Sequence, residues 1–215
     1  MPEHLKRVVF CDFDGTITAI ETFAGMLKEF APELSAEVMP KMYHRQITLR
    51  EGVRQILESI PSICYGDILA YAQDKPIRYG LGQFLDFLQG ENIPFVVVSG
   101  GLRDMVETVL KREGLLSKVS AIFALDVDTR YDYLKVISGF EDETELVAKV
   151  KVMAQYLVDE SIAIGDSVTD INMAISADLV FARDRLIDYL EAENKSYISW
   201  HDFSDIQSYL AKHKA

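Results

Sequence analysis

Positive charge is in short supply: 22 lysines and arginines face 34 aspartates and glutamates, for a formal net charge of -12. Nucleic acid and anionic membrane surfaces would repel such a chain, and no basic patch offsets the imbalance, so neither is expected as a partner. Cysteine is scarcer still. Cys11 and Cys64 have no metal-ligand spacing, and Cys11 stands inside an apolar run, which argues against a disulfide framework. No segment approaches the roughly 18 apolar residues of a membrane span. The opening MPEHLKR lacks the apolar stretch of a signal peptide, so a cytoplasmic protein is expected. Internal repeats, low-complexity tracts and Gly/Ser-rich linkers are missing too. What remains is an ordinary globular composition, 49% hydrophobic and 26% charged over 215 residues, enough for one large domain or one domain with a modest insertion.

Four short β-rich runs stand out, at Val8 to Phe13, Phe95 to Ser99, Ser161 to Ile164 and Leu179 to Ala182, with a fifth at Ala121 to Leu125. They are nearly all apolar rather than alternating, the pattern of strands buried on both faces of a parallel sheet. Helical spacing separates them: Leu81, Phe84, Leu85 and Leu88; Met105, Val106, Val109 and Leu110; and Leu146, Val147, Val150, Met153, Ala154 and Leu157. This βα alternation predicts an α/β fold with a doubly wound parallel sheet. The gap between the first strand and the next is far longer than a crossover needs. Within it Ile20, Phe23, Leu27 and Phe30, and then Leu49, Val53, Ile56 and Ile60, keep helical spacing, punctuated by Pro32, Pro61 and Pro76. The expected organisation is a core of residues 1–16 and 79–215, with a small helical cap, residues 17–78, inserted after the first strand. The cap is expected over the C-terminal end of the sheet, where open α/β folds bind ligands.

Asp12 and Asp14 end the first strand in the run DFDGT, and Asp166 and Asp170 follow a later one in GDSVTD. Taken alone, the first pair reads equally well as turn residues. In a parallel sheet, however, both strand ends meet one edge, and four converging carboxylates repel one another unless a cation stands between them. Oxygen-only ligands at that density suit Mg²⁺ completed by water and a phosphate. Ser99 and Gly100, followed by Gly101 and a helix over Leu102 to Lys111, can hold a phosphate oxygen at a strand-to-helix turn. Lys149 stands 17 residues before Asp166, where an ammonium would balance the carboxylates; Lys151, two residues on, is the alternative. Trp200, Tyr197 and Phe203 read as packing residues, and His44 has no metal partner in the sequence.

Asp-Phe-Asp-Gly-Thr at 12 to 16, Ser99 after an apolar strand, a lysine, and Gly-Asp-Ser-Val-Thr-Asp at 165 to 170, in that order, resemble the four motifs of the haloacid dehalogenase superfamily of phosphohydrolases. The insertion is similar to the type 1 helical cap of phosphoserine phosphatases and their relatives. PFVVVSGG, IAIGDSVTD and ADLVFARD most resemble the methionine-salvage phosphatases that act on 2-hydroxy-3-keto-5-methylthiopentenyl 1-phosphate. Glu21 and Arg54 fall where phosphoserine phosphatases place their substrate-binding pair, which makes phosphoserine the alternative substrate. The resemblance implies Asp12 as nucleophile, Asp14 as general acid and base, and Mg²⁺ held by Asp12, the Asp14 carbonyl and Asp166, with Asp170 in or behind that set. It further implies phosphate contacts from Ser99, Gly100 and Lys149. The physics agrees: a strand-end carboxylate beside a cation can attack phosphorus in line and form an aspartyl phosphate that water then hydrolyses. The expected partner is a small phosphomonoester, and the chain a monomer or homodimer. A receiver-type signalling domain and a catalytically silent binding protein are the competing classes. The first would carry its acidic pair and phosphoacceptor on different strands and would need no lid; the second is disfavoured by the intact acidic set. The sequence does not decide whether water or a second hydroxyl takes the phosphoryl group.

Overall fold

Val8 to Cys11 are fully buried because they lie at the centre of a sheet. The computed structural model describes residues 4–44 and 46–213. The ends of the expected core, 1–3 and 214–215, and position 45 of the expected cap lie outside them. Among the described residues the sheet has seven strands: β1 (His4–Cys11), β2 (Phe95–Leu102), β3 (Ala121–Asp128), β4 (Lys135–Ile137), β5 (Leu157–Gly165), β6 (Leu179–Ala182) and β7 (Ile198–Ser199). Their order is β4-β3-β2-β1-β5-β6-β7. β1 pairs in parallel with β2 on one side and β5 on the other, Val9 opposite both Phe95 and Ile162. The chain therefore winds outward in both directions from β1, and the crevice between diverging connections opens at the ends of β1, β2 and β5.

Four helices, α1 (Thr22–Phe30), α2 (Pro32–Tyr43), α3 (Leu49–Leu57) and α4 (Tyr65–Ala72), separate β1 from the rest. α3 starts at a capping box in which Thr48 and Glu51 satisfy each other's backbone amides. The core crossovers carry α5 (Leu81–Gly90), α6 (Arg103–Arg112), α7 (Lys149–Met153), α8 (Ile171–Ser176), α9 (Asp184–Ala192) and α10 (Phe203–Lys212). α5 buries the expected stripe of Leu81, Phe84, Leu85 and Leu88, and Phe84 stacks on Phe203 of α10 with ring centroids 5.5 Å apart.

Several expectations are corrected. The long helix expected over Leu146 to Leu157 is only the short α7, and Leu157 opens β5, because Leu146 to Ala148 are buried by packing ahead of the helix. Ile20 precedes α1 and is half exposed, and Ile60 follows α3, so both lie off the helices whose spacing they seemed to share. β2 runs on to Leu102 with a register shift between Val98 and Leu102, so Gly100 and Gly101 form an irregularity within the strand end. β4, antiparallel to β3, and β7 were not expected.

The helical segment leaves and rejoins the sheet side by side. Thr18 bridges Ile77 in antiparallel fashion, the Ala19 amide donates to the Pro76 carbonyl and the Arg78 amide to that of Ile17, both at 2.8 Å. A second line of contacts runs along β4. Leu134 donates its amide to Ile60 O (3.0 Å), Ser62 to Asp132 O (2.9 Å) and Arg50 to Thr144 O (2.8 Å). Glu58 accepts from Lys135 and from the Val136 amide, both at 3.2 Å.

Candidate active site

Asp12 follows β1 and Asp166 follows the neighbouring parallel strand β5. The Asp12 amide donates to Ile164 O at 2.9 Å, which fixes the two strand ends together. One oxygen each from Asp12, Asp166 and Asp170 lie within 4.8 Å of one another, and all three residues are buried. Lys149, the first residue of α7 and only 1% exposed, donates to Asp12 Oδ1 at 2.5 Å and Asp170 Oδ1 at 2.6 Å. Lys151 faces outward and donates to the Glu141 carbonyl. Asp170 Oδ2 accepts the amides of Asp166 and Ser167, each at 3.0 Å, so both of its oxygens are occupied. Thr16 donates its hydroxyl to Asp166 Oδ1 at 2.8 Å. Asp12 Oδ2, by contrast, is buried with no hydrogen-bond partner among the described residues.

The electrostatics follow from three carboxylates around one ammonium. Burial and then the Asp170 charge raise the pKa of Asp12 against the pull of Lys149. Burial likewise raises that of Asp166, with Asp170 and Asp12 adding to it. Burial works against the Lys149 ammonium, yet Asp12 and Asp170 together hold its pKa above the usual lysine range. The cluster is therefore short of positive charge, and it keeps an unpaired buried carboxylate oxygen. That combination fits a divalent cation coordinated by hard oxygen ligands.

Two glycines make the geometry possible. Gly15 has φ +83°, and a Cβ there would stand 2.5 Å from Asp166 Oδ2. A Cβ on Gly165 would lie 2.6 Å from the Asp170 carboxyl carbon, so Asp170 can fold back over the β5 end only above a glycine.

Asp14 points toward the helical segment. Its Oδ1 accepts the amides of Thr22 and Phe23, with Ala24 further off at 3.5 Å from Oδ2, so it satisfies the otherwise orphaned donors of the first turn of α1. Burial pushes its carboxyl up to about 7 against the pull of these amides. Glu21, immediately before α1, makes no capping bond and is exposed. It lies near Tyr43 at the end of α2: burial and then the Glu21 charge raise the Tyr43 phenol, with Arg185 opposing. Ser99 is fully buried and its hydroxyl accepts the Gly101 amide at 3.0 Å, while the Phe23 ring packs over Gly101. Arg54 is engaged elsewhere, with Glu141 at 2.7 Å, Glu58 at 3.3 Å and the Val136 carbonyl at 3.3 Å.

Sequence reasoning passed over three contributors. Thr16 was noted only as part of DFDGT, yet it orients Asp166. The α1 amides that hold Asp14 carry no side-chain signature. Arg78 donates to the carbonyls of Thr16 (3.0 Å) and Gly15 (2.5 Å), and nothing in Pro76-Ile77-Arg78 distinguishes it from a solvated arginine except its place just before the return to the core.

Comparison with known proteins adds to this geometry. The sequence pattern of the haloacid dehalogenase-like hydrolases matches residues 9–174. A protein of Microcystis aeruginosa named 2-hydroxy-3-keto-5-methylthiopentenyl-1-phosphate phosphatase is 66% identical over 206 residues, covering 96% of this chain and 98% of that protein. A Bacillus cereus protein of the same name is 32% identical over 210 residues, 94% of each chain. Among solved structures, a substrate-bound phosphoserine phosphatase superposes with a TM-score of 0.69 at 18% identity, covering 96% of this chain and 99% of that one. The phosphoserine phosphatase of T. onnurineus does so with a TM-score of 0.71 at 16% identity, covering 98% and 96%.

Proposed function

The chain belongs to the haloacid dehalogenase-like hydrolases and is a phosphatase; from that premise we propose that it hydrolyses 2-hydroxy-3-keto-5-methylthiopentenyl 1-phosphate, with Mg²⁺, through an aspartyl phosphate on Asp12. The near full-length similarity to the Microcystis enzyme of that name carries the choice of substrate. The side chains are consistent with it. Arg54, which a phosphoserine site would need for the substrate carboxylate, is already paired with Glu141 and Glu58. The likeness to phosphoserine phosphatases lies at 16–21% identity and speaks for the shared fold.

In this reading Lys149 holds Asp12 in line with the phosphorus. An Asp12 carboxylate oxygen forms the new P–O bond as the ester P–O bond breaks, and the leaving oxygen takes a proton from Asp14. Water then attacks the phosphorus, gives its proton to Asp14, and the Asp12 carboxylate leaves. Asp12 and Asp166, with the Asp14 backbone carbonyl, would hold Mg²⁺, and Asp170, with both oxygens engaged, would brace the loop behind them. When bound there, the cation offsets charge on the phosphoryl oxygens. Ser99, with the amide of Gly100, binds a phosphoryl oxygen. Helices α1 to α4 act as the lid, and Asp14, bonded to the first turn of α1, senses where that lid stands.

The test compares kcat/KM for the methylthiopentenyl phosphate and for phosphoserine in wild type and Arg54→Ala. A preference for the first of more than about tenfold is expected, roughly 1.4 kcal/mol of discrimination, with phosphoserine turnover indifferent to the substitution. A phosphoserine preference of that size that collapses in Arg54→Ala would overturn the choice.

A further inference from the structure

The two carbonyls that Arg78 reaches, Gly15 O and Thr16 O, belong to buried residues directly after Asp14. Buried carbonyls need donors, and here one planar guanidinium serves both. Fixing these carbonyls fixes the two peptide planes around Thr16. Thr16 in turn donates to Asp166, and the Gly15 amide donates to Thr18 Oγ1 at 3.0 Å. Arg78 thereby sets the shape of the loop between the Asp12 carboxylate and the helical segment.

Its own position is set from both sides. The Arg78 amide pairs with Ile17 O, in the return strand of the small ribbon through which α1 to α4 are attached. The neighbouring Tyr79 carbonyl accepts the Phe203 amide at 3.1 Å, which ties the return to the core. The guanidinium lies 5.4 Å from the ring of Trp200, and Arg183 lies 5.2 Å from the same ring. Trp200 is 5% exposed and is the chain's single tryptophan. Two like-charged guanidiniums thus share one aromatic ring, and cation–π attraction gives the Arg78 head a defined seat.

We propose that Arg78 is a positioning residue that ties the return segment of the helical insertion to the Asp12–Thr16 loop, with Trp200 as its seat, so that movement of the helices and order of the loop are coupled. The proposal rests on the reading of Asp12–Thr16 as the catalytic loop. It also makes the Trp200 emission a built-in reporter of that loop.

The experiment follows Arg78→Lys, which keeps the charge but cannot fork to two carbonyls, alongside Arg183→Gln, which removes the other guanidinium from Trp200 without touching the loop. In Arg78→Lys, which loosens Thr16 behind Asp166, kcat is expected to fall up to about 10-fold, the lower end of the cost of losing a metal ligand's own partner, with KM little changed. The Mg²⁺ concentration giving half-maximal activity should rise in parallel. Titration with Mg²⁺ alone should shift the Trp200 emission in wild type and leave it unmoved in Arg78→Lys. Arg183→Gln should alter the resting emission yet keep kcat within about twofold, since it loses no interaction made to the reacting groups. Wild-type kcat and Mg²⁺ dependence in a folded Arg78→Lys would overturn the proposal, as would an equal loss in Arg183→Gln. Should the wild type hydrolyse no phosphomonoester, the functional reading fails, while the emission titration still decides the role of Arg78.

Discussion

Lys149 and Lys151 are two positions apart, and about 200° of helical rotation sends their side chains in opposite directions. Lys149 is buried between Asp12 and Asp170; Lys151 reaches the Glu141 carbonyl at the surface. Removing Lys149 would leave buried carboxylates facing one another, a change that costs about 3–5 kcal/mol where a buried pair is broken. Lys149→Met is therefore expected to abolish phosphate release and to lower the midpoint of thermal unfolding, with part of that midpoint restored by Mg²⁺. Lys151→Met should stay within about 0.5 kcal/mol of wild type, as surface substitutions do. Equal effects in the two variants, read by calorimetry and a phosphate assay, would contradict this assignment. The sequence marked the neighbourhood and left both lysines open, because helical phase cannot be read from a five-residue helix whose apolar pattern begins before it. The aspartates were legible for the opposite reason. Asp12 and Asp166 each follow directly on a strand whose last residues are buried, so the strand itself dictates where the carboxylate emerges, and Asp14 and Asp170 are found from them by the motif each completes.

β4 shows how an element escapes sequence reading. It has three residues, of which only Val136 is buried, too few to display a period, and it exists because it pairs with β3 and receives α3. Around it Arg50 and Arg54 converge on Glu141, and Arg54 and Lys135 on Glu58. Arg54 and Glu58 are four residues apart at the C-terminal end of α3, but the pairs that cross the junction lie 77 to 91 positions apart, a separation no local pattern encodes. The pKa values of Glu58 and Glu141 are lowered: burial opposes the shift, and the basic partners outweigh it. A depressed folded-state pKa contributes stability that is present above the ordinary glutamate value and is lost as pH falls through the folded one. Glu141→Gln should therefore unfold earlier than wild type at pH 7, by no more than about 1 kcal/mol for pairs this exposed. That difference should disappear as the pH drops below the ordinary glutamate range. A gap that persists undiminished in acid would mean that Glu141 acts through packing rather than charge.

At the scale of the whole molecule, the acidic cluster is a folding liability that a bound cation would relieve. Mg²⁺ is expected to raise the unfolding midpoint, by the equivalent of about 2.7 kcal/mol at a hundredfold excess over its dissociation constant. Excess chelator should stop phosphate release, and Mg²⁺ should restore it. Release that persists in chelator, or an unfolding midpoint blind to Mg²⁺, would remove the cation from the account. The path of the chain around this centre has a further consequence. Residues 17–19 and 76–78 enter and leave as neighbours, so the four helices could be exchanged for a different covering without rerouting a single strand. Such a transplant would be clean at the ribbon and ragged along β4, where Glu58 and Arg54 would be separated from Lys135 and Glu141. A new covering, whether assembled by recombination or at the bench, would have to bring its own match for that edge; with the helices acting as the proposed lid, substrate range could then change by replacing them only as fast as the β3–β4 hairpin changes with them.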